Sequence, residues 1–264
     1  MSVLSATDIE NTRRREDVLR ELNLSPLWML RTAPEASRSA EPSSISLPKV
    51  NSVLAEKGVA EIPLDDIGVL GWSELKKRVK GCTACKLRAG CMQTVFGTGD
   101  ESADWLFVGS WPTEDDETSG EPFAGQAGQL LDNMLAAIKL KRNINVYLAN
   151  VVKCSGSIIR GPQPEEIAQC SPYLLRQIKL LQPRIIVALG HAAATALLGE
   201  DREWDSLLGT VHCFDGFTKD KGQLSIPLII THHPAALLLT PLNKAQTWRD
   251  LCLARDTMAS ANQQ

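Results

Sequence analysis

The sequence predicts an α/β protein, a three-layer α/β/α sandwich around a central four-stranded parallel sheet. Two observations carry this. Four short segments, Trp105–Val108, Asn145–Val152, Arg184–Leu189 and Pro227–Thr231, are rich in β-branched and apolar residues without clean alternation. That is the pattern of strands buried on both faces of a parallel sheet. Helical segments alternate with them, and a βαβαβαβ order places helices on both sides of the sheet.

The elements follow in order. Trp72–Lys80 is a helical stretch ahead of the first strand. Ala127–Leu140 links the first strand to the second. Pro164–Leu181 links the second to the third, and opens with Pro164, Glu165 and Glu166. Proline tolerates the first helical turn, and acidic side chains favour the positive end of the helix dipole. Gly190 fits a tight strand-to-helix turn into Ala192–Leu198, and Gly199 fits its stop. A last helix spans Asn243–Asp256. No internal repeat is present.

Residues 1–31 read as a helical arm, residues 32–70 as a Ser/Pro-rich linker, and residues 71–264 as the α/β domain. The composition, 44% hydrophobic and 22% charged over 264 residues, is that of an ordinary globular protein. No apolar run is long enough to span a bilayer, and Ser2–Arg20 does not read as a signal peptide. The expectation is a soluble cytoplasmic protein with no membrane partner. A net charge of −3 lends no support to a broad nucleic-acid-binding face.

Seven cysteines include one C-x-x-C pair, Cys82 and Cys85. In a cytosolic chain that arrangement favours a metal site over disulfides. Cys154 directly follows the second strand, and Cys170 lies sixteen residues later in the next helix. Four thiolates suit a [4Fe–4S] cluster or tetrahedral zinc. Ordinary burial of Cys154 and Cys170 is the plain alternative. Cys213 and Cys252 read as structural, and Cys91 is the one other cysteine near the pair.

Residues 109–131, GSWPTEDDETSGEPFAGQAGQLL, carry the most information. A strand runs into a Pro-containing turn, an acidic loop, the Gly-flanked aromatic Phe123 and then a helix. This layout builds a pocket at the carboxyl end of a strand, where open α/β sheets bind ligands. Asn150 ends the second strand and His233 the fourth. Singly, such residues are a cap, a structural histidine and a core ring. Together, each at or just beyond a strand's carboxyl end, they outline one site. His232 is the ambiguous neighbour, while His191 and His212 read as structural.

The stretch resembles the first motif of the iron–sulfur (family 4) uracil-DNA glycosylases. Gly109, Pro112, Gly120, Pro122, Phe123, Gly125, Ala127, Gly128, Leu130 and Leu131 match it. Further matches are Asn150 and Cys154 in NVVKC, His233 in HHPAALL, and the cysteine spacing, so the likeness covers roughly Glu74–Asp256. It implies the glycosylase fold, hydrolysis of the N-glycosidic bond of deoxyuridine in DNA, and a [4Fe–4S] cluster on Cys82, Cys85, Cys154 and Cys170. It also implies stacking of uracil on Phe123 and pairing of Asn150 with its edge. His233 would stabilise the leaving base, with Gly109, Trp111 and Asp116 around the substrate. Ser110 and Trp111 stand where the family has Glu-Ala, so Ser110 takes the water-orienting position with a hydroxyl in place of a carboxylate. Asp116 stands for a longer pocket glutamate, and Leu239 for an arginine.

The arm, RRREDVLRELNLSPLWMLR, resembles that of the psi subunit of bacterial DNA polymerase III. That likeness implies docking of residues 11–31 on the chi subunit. It opens an alternative in which the domain is a catalytically weakened or inactive adaptor at the replication machinery.

Overall fold

The structure is a computed structural model that describes residues 67–155, 161–200, 202–216 and 225–261. The helical arm and nearly all of the linker lie outside the described residues, and so does the expected docking of residues 11–31.

The sheet contains the four expected parallel strands and two more. They are β1 (Thr98–Gly99), β2 (Trp105–Gly109), β3 (Val146–Asn150), β4 (Ile185–Leu189), β5 (Val211–Phe214) and β6 (Ile226–Thr231), in the spatial order β1-β3-β2-β4-β6-β5. The central β3-β2-β4-β6 pairs are parallel, whereas β1 and β5 add antiparallel edges. Two residues are too few for β1 to show a period. Its Gly99 lies at φ +135°, and any side chain there would collide with the Val146 carbonyl. In β5, three of four residues retain solvent contact, as befits an edge without an apolar run.

Among the described residues the α-helices are α1 (Trp72–Lys80), α2 (Glu114–Ser119), α3 (Gly125–Ala137), α4 (Pro164–Leu181), α5 (His191–Leu198), α6 (Trp204–Leu207), α7 (Pro234–Leu239) and α8 (Lys244–Ala261). The acidic loop of the sequence reading is in fact helical at α2. Thr113 caps it by accepting from the Asp116 amide, and Asp116 reaches back to the Thr113 amide.

Every residue of β2, β3 and β4 is buried. Period-two alternation then divides their side chains between two cores. Leu106, Val108, Tyr147, Ala149, Ile186 and Ala188 pack with α4 and α5 residues such as Leu174, Ile178 and Ala194. Trp105, Phe107, Val146, Leu148, Ile185 and Val187 pack with Leu131 and Leu135 of α3 and Leu251 of α8. Two apolar faces per strand explain why the sequence shows continuous apolar runs, and they establish the three layers.

Candidate active site and cysteine pocket

Parallel register puts Gly109 of β2 beside Asn150 of β3. A Cβ added at Gly109 would overlap Asn150 Oδ1 and come within 2.6 Å of Phe123 Cζ. Glycine therefore lets three chain segments converge at one point. Phe123 is 5% exposed and adopts φ +58°, uncommon for a bulky residue. Its ring lies 5.7 Å from that of His233, tilted by 31°. Asn150 is 2% exposed, and neither Nδ2 nor Oδ1 has a hydrogen-bond partner.

His233 ends the loop after β6 and caps α7. Its Nδ1 accepts from the Ala235 amide at 3.2 Å. Burial holds the imidazole down to about 4, so the ring is neutral near pH 7. With Nδ1 accepting, the single ring proton resides on Nε2. His232 is also held down by burial, against opposing pulls from Asp250 and Asp205.

Ser110 and Trp111 line an adjoining, largely apolar cleft with Gly190, Trp204, His232, His233 and Leu239. Trp111 is 38% exposed, and a Cβ at Gly161 would touch its ring at 3.3 Å. The indole thus lies on the cleft wall. Asp116 is 3% exposed and acts as a loop anchor. Its Oδ1 accepts from the Ala124 amide at 2.6 Å and its Oδ2 from the Thr113 amide at 3.0 Å.

Cys82, Cys85, Cys154 and Cys170 line one pocket, joined by Lys153, Arg88 and Tyr173. Cys82 follows α1, Cys85 precedes a short 3₁₀ turn at Lys86–Gly90, Cys154 follows β3, and Cys170 is on α4. Among the described residues, no three Cys, His, Asp or Glu side chains stand as a ready ligating array. The donor set and its setting nevertheless fit an iron–sulfur group. Burial pushes the Cys154 thiol up and the Cys170 thiol to about 11, so thiolates here need a cationic centre to compensate their charge. Cys91 is buried beside this set, where its sulfur approaches the Gln93 carbonyl at 3.0 Å. It does not line the pocket.

Sequence reasoning passed over two polar residues. Lys153 is fully buried, and its Nζ donates to the Asn150 carbonyl at 2.8 Å and to Gln177 Oε1 at 2.6 Å. Burial brings this ammonium down to about 8. The NVVKC context could have flagged it, because a lysine directly after a buried strand needs partners. Arg142 donates to the carbonyls of Pro122 and Phe123. Nothing in its polar KRN surroundings distinguishes it from a solvated surface cation.

The chain is an α/β protein in which an aromatic ring and an unpaired amide meet at the carboxyl ends of parallel strands, beside an apolar cleft. The uracil DNA glycosylase superfamily profile matches residues 96–254. The chain is 36% identical over 170 residues to the type-4 uracil-DNA glycosylase of Archaeoglobus fulgidus, spanning 64% of this chain and 83% of that protein. It is 35% identical over 182 residues to the type-4 enzyme of Pyrobaculum aerophilum, spanning 68% and 91%. It is 44% identical over 119 residues to that of Thermotoga maritima, spanning 45% and 62%. The chain belongs to the uracil DNA glycosylase superfamily.

Proposed function

We propose that this protein excises uracil from DNA by hydrolysing the N-glycosidic bond, as a step of base-excision repair. The observation that carries the reading is the Asn150 side chain, buried with both polar atoms unpaired. An unpaired buried amide costs about 1–3 kcal/mol, so a partner supplied by ligand explains its retention. A fold kept only as a docking adaptor gains nothing from such a group, and the comparisons with known proteins give the adaptor alternative no support.

The chemistry follows from the geometry. A flipped uracil stacks on Phe123. Asn150 Oδ1 accepts from the imide N3–H and Nδ2 donates to O4. Cytosine presents an acceptor at N3 and an amino donor at C4, so an amide held in this orientation by the bound uracil geometry does not pair with it. As the C1′–N1 bond breaks, its electron pair leaves with the base and negative charge gathers on O2. The neutral His233 ring donates its Nε2 proton in a hydrogen bond to that oxygen. Assistance of this kind contributes ~10²–10⁴-fold. Ser110 orients a water whose oxygen bonds C1′, and its released proton balances protonation of the departing uracil. The products are free uracil and an abasic site.

Cys82, Cys85, Cys154 and Cys170 would hold a [4Fe–4S] cluster, which when bound supplies a metal-centred cross-link of three chain segments and a one-electron couple. Iron and sulfide in roughly 4:4 stoichiometry would support it; zinc alone would refute it.

Activity is tested by incubating the protein with uracil-containing single- and double-stranded DNA and scoring alkali-labile strands. The wild type should produce them, and Asn150→Ala and His233→Ala should produce far fewer. Absence of cleavage by the wild-type, metal-loaded protein overturns the reading.

A further inference from the structure

We infer that Arg142 is a positioning residue, fixing Phe123 in the conformation that faces the base. The inference rests on the base-stacking reading of Phe123 but stands on its own contacts. Arg142 occupies a tight turn between α3 and β3, where the Ile144 amide donates to the Lys141 carbonyl at 3.1 Å. From there its guanidinium crosses to the segment before α3. Nη1 donates to the Pro122 carbonyl and Nη2 to the Phe123 carbonyl, both at 3.1 Å, and Nε donates to Asp132 at 2.9 Å. One planar cation thus spans two successive carbonyls and a carboxylate on α3. A planar fork performs this task, whereas the point charge of a lysine does not.

The need for such a clamp is visible at Phe123. Its backbone is left-handed, and the surrounding structure must enforce that conformation. Asp116 secures the following peptide by accepting from the Ala124 amide. Arg142 holds the carbonyl of that same peptide through Nη2 and the carbonyl of the preceding peptide through Nη1, so both peptides flanking Phe123 are held. The approach leaves no room for a side chain at Gly128. A Cβ there would collide with the Phe123 carbonyl and lie 3.4 Å from Arg142 Nη2. With both peptides pinned, the direction of the Phe123 Cα–Cβ bond is set, and the ring lies against Gly109 and 5.7 Å from that of His233.

The test combines a double-mutant cycle with hydrogen exchange on the full-length, metal-loaded protein. Arg142→Met should lower kcat/KM for uracil release from a single-stranded oligonucleotide about tenfold, and Arg142→Lys should not restore it. In a Phe123→Ala background, Arg142→Met should lower it less than twofold further, because its effect is exerted through the ring. Amides of residues 121–128 should exchange faster in Arg142→Met, while those of β2 and β3 keep their protection. Additive losses in the cycle, or unchanged exchange in residues 121–128, would overturn the inference. If the wild type releases no uracil, the excision reading fails, and the exchange experiment alone decides for or against the clamp.

Discussion

Gly109→Ala is the most discriminating single perturbation of this site. Gly109 lies in β2 with no positive φ, so alanine suits its backbone and the effect is purely steric. The new methyl group would overlap Asn150 Oδ1 and approach Phe123 Cζ to 2.6 Å. An ordinary carbon–carbon separation is ~3.5 Å, so the ring must retreat by about 0.9 Å, and the amide must also turn away. A misplacement of about 1 Å in a reacting constellation can reduce rate by ~10²-fold. The accompanying overpacking should cost about 1–3 kcal/mol, which a stable domain survives. The assay is steady-state uracil release from a single-stranded oligonucleotide, with a denaturant titration in parallel. Gly90→Ala is the control, since a Cβ there meets nothing within 4 Å. A folded Gly109→Ala protein with wild-type kcat/KM would refute the convergence of Gly109, Asn150 and Phe123 on the base.

Three further outcomes are expected. Asn150→Leu removes two unpaired buried atoms at similar volume, so it should stabilise the fold by about 1–3 kcal/mol in urea titration while uracil release collapses; destabilisation would indicate that the amide has a structural partner. His233 is neutral in the fold down to about 4 but takes a proton near 6.5 when unfolded, so its burial favours unfolding as pH falls through that window. Wild-type stability should therefore decline from pH 6.5 toward 4 more steeply than that of His233→Gln, and parallel curves would contradict the burial. Finally, Cys154→Ser and Cys170→Ser should each reduce bound iron and visible absorption, whereas Cys213→Ser, at an exposed edge-strand position, should change neither.

The parallel strands were legible in the sequence because burial on both faces leaves continuous apolar runs. The edges were not, since β1 is a two-residue pairing set by Gly99 and β5 lies half in solvent. Helix α2 was hidden by composition: EDDETS reads as a charged loop until Thr113 and Asp116 are seen as a reciprocal cap. Phe123, Asn150 and His233 could be named from their places after strands, because topology carries those places to one end of the sheet. Asp116 and Arg142 could not be assigned their work in advance. Their hydrogen bonds run to backbone groups 8, 19 and 20 residues away, and no side-chain pattern records such partners.

The carboxyl end of β3 explains why the pocket and the cysteine site are neighbours. The Asn150 carbonyl is engaged by the Lys153 ammonium, leaving the side-chain amide as the unpaired part of that residue. The same lysine lines the cysteine pocket, and Cys154 follows it directly. Five consecutive residues thus carry the proposed base-reading edge, a buried cation and a proposed sulfur ligand. Gln177 of α4 ties this segment down, accepting from Lys153 and donating to the Phe96 carbonyl at 3.0 Å. Since α4 also carries Cys170, a cross-link through the four sulfurs would brace the helix that holds Lys153, and through it the strand end that presents Asn150. On this argument the cysteines serve the chemistry by stiffening its recognition edge. In the proposed reaction Ser110 bears on a different part, the delivery of water, and recognition of the base would rest with Asn150 and Phe123.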